Sequence, residues 1–382
     1  MASDFRQPVR VLHVVRPAAG GMKAHVLALC TGLSACGFDC EIACPGDSDV
    51  VHDALEAGIL VHPVPIVGPL NPLRDPFAIL ALAEVIRERR PALVHAHGSK
   101  AGLIARLAVR FAGNPPVVVT VHNHVLYGGI SSLMRFLYLR LERWLARRTA
   151  RIITVSRALT DEMIGQFALP ADKIVTIHNG LDLAPYLSGG ARERVRARLG
   201  VPAGALLFGI AARFAPQKGL DALVVASVPV LEADPDAWLV IAGDGPLLEP
   251  VRMQARKTPV RDRILFPGFE TDIPGFLSAL DLYVNASVSE ALGIGTIEAM
   301  ASGLPVVATA VGGTPEVVDD GVTGVLVPVG RPKPLTDAIS QLAGDGPSRR
   351  RMGAAGRERA ITEFGLDGML ERTAAVYREV LS

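Results

Sequence analysis

The sequence predicts an α/β protein built from two doubly wound domains that face a central cleft. Three observations lead there. The chain has 382 residues, too many for one typical core and enough for two domains of about 150–200 residues. Short runs rich in Val and Ile alternate with helix-like segments, the pattern of parallel strands joined by crossover helices. The texture then changes over residues 182–205, where "DLAPYLSGGARERVRARLGVPAGA" combines Pro, Gly and a charged helix, as a connection between domains does.

Taken in order, "RVLHVV" (10–15) is the first strand, followed by a glycine turn and an amphipathic helix that stops near Gly37. "FDCEIACP", "ALVHAHG", "PVVVTVHN", "RIITVS" and "KIVTIHNG" supply five further strands. Most lack polar alternation, as strands buried on both faces do. After the connection, "LLFGIAAR", "AWLVIAGDGP", "RILFPGF", "DLYVNAS", "PVVATAVGG" and "GVLVPVG" start a second set, and "GLDGMLERTAAVYREVLS" ends the chain as an amphipathic helix. The expected boundaries are a first domain at 1–185, a linker at 186–204, a second domain at 205–364 and a C-terminal helix at 365–382 that crosses back onto the first.

Composition bounds the function. Hydrophobic residues make up 49% and charged residues 20% of the chain, and the net charge is +1, so nothing global calls for nucleic acid. The N-terminus lacks the apolar core and cleavage site of a signal peptide, and no apolar run reaches the roughly 18–20 residues of a spanning helix. A cytoplasmic protein is expected. Its four cysteines fall within fifteen residues, Cys30 to Cys44, without a CxxC pair, and read as buried, reduced thiols. Along 131–151, Leu133, Leu137, Leu141, Trp144 and Leu145 form one helical stripe, and Arg140, Arg143, Arg147 and Arg151 another. That helix either covers the first sheet with a solvated basic face or rests on the inner face of an anionic membrane.

Glycine turns after strands occur at Gly20–Gly21, at "AGDGP" with Gly245, and at Gly293 and Gly295. Each is either a structural turn or a place where backbone amides meet phosphate. Arg213 and Lys218 in "AARFAPQKG" put positive charge near helix starts, where the helix dipole favours negative charge. That misplacement points to an anionic ligand. His95, His97, His122, His124 and His178 sit at strand ends. They are structural residues or the wall of a shared cleft, and their HxH spacing without a nearby acidic ligand assigns no metal. Glu290 and Glu298, eight apart, either stabilise a helix N-terminus or accept hydrogen bonds from sugar hydroxyls.

Together "GGMKAHV", "LVHAHGSKAG", "TVHNH", "ITVS", "IHNGLD", "ARFAPQKG", "VIAGDGP" and "SEALGIGTIEAMASGLPVVAT" resemble the retaining glycosyltransferases of family 4, which have the GT-B fold. The likeness spans nearly the whole chain. Arg-x4-Lys-Gly, GDGP and Glu-x7-Glu in this order are its specific part. The resemblance implies that Arg213 and Lys218 bind the donor diphosphate, helped by amides near Leu292 and Gly293 and by Gly20 and Gly21. Glu298 is implied to hold ribose hydroxyls, Glu290 the transferred sugar, and His122 to contact that sugar near the reacting centre. Gly245 belongs to the donor loop, Phe269 lies where relatives accommodate the base, and Asn179, Gly180 and Asp182 mark the end of the first domain.

The expected reaction moves a sugar from a nucleotide donor, UDP-sugar over GDP-sugar, to a sugar or lipid-linked acceptor, with no cofactor and no essential metal; "DPD" at 234–236 is a surface turn. One departure is Glu290-Ala291-Leu292-Gly293, where relatives often carry Glu-Gly-Phe-Gly, and it leaves the sugar open. A nucleotide-sugar epimerase of the same shape and a non-catalytic nucleotide-sugar-binding protein are the alternatives. A nicotinamide dehydrogenase is disfavoured, because no GxGxxG follows the first strand.

Overall fold

The computed structural model describes residues 8–17, 20–68, 70–124 and 131–382. Residues 1–7 of the N-terminal stretch read for a signal peptide lie outside these residues, as do Ala18 and Ala19 of the first glycine turn. Two compact units divide the chain: Met1–Leu181 with Leu366–Ser382, and Asp182–Gly365.

The first unit holds a parallel sheet of β1 (Val9–Val15), β2 (Phe38–Cys44), β3 (Val61–Pro63), β4 (Leu93–His97), β5 (Val117–Val121), β6 (Arg151–Thr154) and β7 (Ile174–Thr176), in the order β3-β2-β1-β4-β5-β6-β7. Both faces are covered, which is why the strands read as unbroken apolar runs. On one face Val11 and Val15 pack with Leu29, Phe38, Leu370 and Tyr377; on the other Leu12 and Val14 pack with Leu82, Ile86 and Ile104. The C-terminal helix Leu366–Leu381 is therefore part of this unit's core. The cysteines are free thiols, with Cys30, Cys40 and Cys44 buried.

The second unit's parallel sheet comprises β8 (Leu206–Ala211), β9 (Ala237–Ala242), β10 (Ile264–Leu265), β11 (Leu282–Asn285), β12 (Val306–Thr309) and β13 (Gly324–Val327), ordered β10-β9-β8-β11-β12-β13. Residues 186–204, expected as a linker, contain the helix Arg192–Leu199 and belong to this unit. The reason is Asp281. Its carboxylate accepts from Arg192 Nη2 at 2.5 Å, Arg196 Nη2 at 2.6 Å and the amide of Leu207 at 2.8 Å, so the helix is tied to the sheet by charge-assisted bonds.

In each sheet the strand order reverses direction once, between β1 and β4 and between β8 and β11. In open α/β sheets, ligands bind outside the carboxyl ends of the strands at such switch points.

Candidate functional site

The residues implicated in the second unit collect at its switch point. Arg213 stands two residues past the end of β8 and is exposed. Three residues on, the chain enters a 3-10 turn, Pro216–Lys218, and Gly219 with φ +57° opens the helix Leu220–Ala233. A Cβ on Gly219 would stand 2.2 Å from the carbonyl oxygen of Ala286, just past β11. The two switch loops thus touch backbone to backbone, and the amide of Val288 donates to Gln217 O at 2.8 Å.

That contact sets the central pair. Lys218 Nζ donates to Glu290 Oε2 at 2.6 Å, and Ser287 Oγ reaches the same oxygen at 3.3 Å. Ser287 is itself held, donating to Asn285 Oδ1 at 2.6 Å and accepting at its carbonyl from Thr309 Oγ1. Strand-end side chains therefore hold the pair from below, and its ammonium remains partly open to solvent.

Glu298 lies in the helix Ile294–Ala301, whose N-cap is Gly293 with φ +104°. No side chain caps this start and its first turn carries no acidic residue; the Thr296 amide turns back to Gly293 O at 2.9 Å, which leaves the amides of Ile294 and Gly295 to meet an anion. Leu292, beside them, is buried. Glu298 Oε1 accepts from Tyr186 Oη at 2.7 Å. Burial pushes the Glu298 carboxyl above the usual carboxylate range, and the Tyr186 hydroxyl opposes that shift.

The loop after β9 is zipped to the arginine loop. The amide of Phe214 donates to Asp244 O at 2.8 Å, and that of Leu247 to Phe214 O at 3.0 Å. Gly245 fits this approach because a Cβ there would lie 2.5 Å from Phe214 O. Gly268 O accepts from the amide of Gly243 at 2.7 Å, which brings in the loop after β10, where Phe269 is 76% exposed. Arg213, Lys218, Gly245, Phe269, Glu290, Leu292, Gly293 and Glu298 are thus carried on loops or helix starts that follow β8, β9, β10 and β11. A ligand with an anionic centre and hydroxyl groups matches them: cations and free amides for the charge, carboxylates for the hydroxyls.

Gly20, Gly21 and His122 belong to the first unit. Gly20, with φ +60°, precedes the helix Gly21–Gly32. His122 follows β5 and is buried, its pKa pushed down to about 4 by burial and by Arg16. His95 and His97 are fully buried as well, so these strand ends form an interior cluster rather than the open wall expected of them. His124 pairs with Glu162. Tyr186, Ser287 and Asn285 were not among the expected site residues. Asn285 and Ser287 were within reach of sequence reading, as polar residues ending a buried strand; Tyr186 gave no such signal.

Residues 19–185 match the family described as Glycosyltransferase Family 4, and residues 191–359 match Glycosyl transferases group 1. The chain is similar to the alpha-maltose-1-phosphate synthase of Mycolicibacterium smegmatis, with 31% identity over 94% of this chain and 96% of that protein. It is also similar to the UDP-Gal:alpha-D-GlcNAc-diphosphoundecaprenol alpha-1,3-galactosyltransferase of Escherichia coli, 27% identical over 81% of each. Among solved structures, HepE of Anabaena in complex with UDP superposes with a TM-score of 0.85 at 23% identity, over 97% of this chain and all of that one.

Proposed function

This chain belongs to the glycosyltransferases of family 4, with the GT-B fold and nucleotide-sugar donors, and from that premise we propose that it moves a sugar from a UDP-sugar, with retention and without an essential metal, onto a lipid-linked or polysaccharide-precursor acceptor. One observation carries the reading: two cations and two carboxylates stand on the loops of the second sheet's switch point, with Lys218 hydrogen-bonded to Glu290 at 2.6 Å. Breaking the bond from the anomeric carbon to phosphate leaves negative charge on the diphosphate and positive charge on the sugar. Arg213 offers a planar fork to phosphate oxygens and Lys218 a point charge. Amides at the start of Ile294–Ala301 add a third source of positive potential. Lys218, held by Glu290, and the helix amides are in place before reaction and stabilise the leaving diphosphate with little reorganisation.

Glu290 and Glu298 take the hydroxyl groups. Glu290 serves the transferred sugar and Glu298 the ribose, with Tyr186 holding the Glu298 carboxylate in orientation. His122, Gly20 and Gly21 take part from the first unit as sugar and phosphate contacts. In a retaining transfer the acceptor attacks the face that the diphosphate leaves, and a leaving phosphate oxygen takes its proton, so neither Glu290 nor His122 is assigned as general base. UDP is favoured because the E. coli relative is named for UDP-Gal and the Anabaena structure holds UDP.

The lipid-linked acceptor has support in the first unit. No helix among the described residues is long and apolar enough to cross a membrane. The helix Ser132–Ala146, however, buries only its far end through Glu142, Leu145 and Ala146. Leu133, Met134, Phe136 and Leu137 are each more than half exposed. Leu133 and Leu137, expected in the same stripe as Leu145, thus part from it. Arg135, Arg140, Arg143 and Arg147 are exposed on the same helix and just beyond it. An apolar tip beside basic residues suits an anionic bilayer surface, and failure to sediment with anionic liposomes at low salt removes this assignment.

The donor is tested by thermal shift with UDP, GDP, ADP and their sugar forms. UDP and a UDP-sugar are expected to raise the melting temperature most. A response confined to GDP or ADP forms overturns the choice of nucleotide, and no response to any overturns the donor site.

A further inference from the structure

Inside the first unit, five imidazoles meet on the sheet face covered by Gly21–Gly32 and Leu366–Leu381. His13 comes from β1, His95 and His97 from β4, His122 from the end of β5 and His25 from the helix. All five are buried. Most are accounted for: His95 bonds Tyr377 Oη at 2.5 Å and Thr120 Oγ1 at 2.7 Å, and His97 Nε2 meets His13 Nδ1 at 3.0 Å. On its other side His97 Nδ1 meets His122 Nε2 at 3.1 Å. His25 is the exception. It is 8% exposed, and neither of its ring nitrogens has a hydrogen-bond partner among the described residues. Burying an unpaired polar ring is unfavourable and calls for a ligand.

His25 faces two of the other rings. His25 stands edge-on to His122 with centroids 4.7 Å apart, and to His97 at 5.7 Å. One nitrogen from each of His25, His97 and His122 lies within 4.8 Å of the others. Zinc–nitrogen bonds of about 2.0–2.1 Å place tetrahedral ligands roughly 3.4 Å apart, so the 3.1 Å His97–His122 pair already has the spacing. A further closure on the order of 1 Å by His25 completes the set. We propose that His25, His97 and His122 bind a divalent transition-metal ion of the zinc class, with a fourth position open to water.

The surroundings suit that chemistry. With His97 Nδ1 on the ion, its Nε2–H donates to His13 Nδ1, the outer hydrogen bond that orients a metal-bound imidazole. A second group, His13 with Cys30 and Cys40, has similar spacing, and His13 Nε2 is likewise without a partner among the described residues, so the experiment below includes a cysteine variant. Occupancy takes up His122 Nε2. On the reading of His122 as a sugar contact, zinc then slows transfer, while the binding itself does not depend on that reading.

The experiment uses the full chain stripped with chelator, loaded with Zn2+, desalted and assayed for metal. One zinc per chain and a higher melting temperature are expected, and Co2+ in its place gives the visible bands of a tetrahedral site. His25→Leu loses the zinc, whereas Cys40→Ser keeps it. UDP binding reports separately that the second unit is intact in each variant. No retained zinc and no Co2+ spectrum in the wild-type chain overturn the proposal, even where His25→Leu fails to fold. Stoichiometric zinc in a folded His25→Leu variant, or its loss only in Cys40→Ser, also overturns it.

Discussion

Lys218→Ala removes an ammonium that stands 2.6 Å from Glu290 Oε2 and is 29% exposed, against 14% for its partner. Two effects follow and their sizes differ. In the ligand-free protein a charge-assisted hydrogen bond is lost, worth about 1.5–3 kcal/mol at full strength and nearer 1 kcal/mol once solvent screening of a partly open pair is allowed for. In the reaction a preorganised donor to the developing diphosphate charge is lost, worth about 3–4 kcal/mol, or roughly 10²–10³ in turnover. Catalysis should therefore fail in a protein that still folds. The assay follows UDP release from the donor selected by thermal shift, with melting temperatures measured on the same samples. Adding Glu290→Gln separates the causes. If the double variant recovers wild-type turnover, Lys218 serves only to neutralise Glu290. Turnover within about threefold of wild type in Lys218→Ala itself refutes the phosphate role outright.

Other perturbations address the parts around this pair. Gly219→Ala combines a left-handed backbone with a Cβ 2.2 Å from a strand-end carbonyl, and is expected to cost on the order of 2–4 kcal/mol; an unchanged denaturation midpoint contradicts the loop packing. Glu298 has a folded-state pKa raised by burial, so the folded chain binds its proton more tightly than the unfolded chain. Stability is then lost as pH rises through that pKa. Glu298→Gln should raise the melting temperature at pH 8, with the gain shrinking toward pH 4 and UDP affinity falling; a lower melting temperature at pH 8 contradicts the sign. Transfer should persist in excess EDTA, because Arg213 and Lys218 supply the charge. Complete loss that Mg2+ or Mn2+ restores would show that a metal is essential at the diphosphate.

What was legible in the sequence follows from which interactions are local. Strands buried on both faces declare themselves as Val/Ile runs, and β1, β4, β5 and β8 could be read directly. β3 could not, because three residues, Val61-His62-Pro63, carry too little pattern at a sheet edge. Residues 186–204 look like a linker because Gly, Pro and charge dominate them locally; the acid that ties Arg192 and Arg196 to the sheet is Asp281, more than eighty residues on. The site divides in the same way. Arg213, Lys218 and Glu290 stand out because charge just past a buried strand is conspicuous, and Glu298 through its eight-residue spacing from Glu290. Tyr186 meets Glu298 across 112 positions and leaves no local trace. The histidines illustrate the limit most sharply. HxH pairs without an acidic neighbour gave no metal site, because the third imidazole, His25, lies on a helix whose apolar pattern hides it.

Hydrogen exchange measured with and without saturating UDP tests most directly whether the second sheet's switch point grips the nucleotide. Protection is expected at 212–220, at 243–247 and across 286–298, and it should shrink in Arg213→Ala. Exchange unchanged in those three segments while UDP is demonstrably bound would contradict the account.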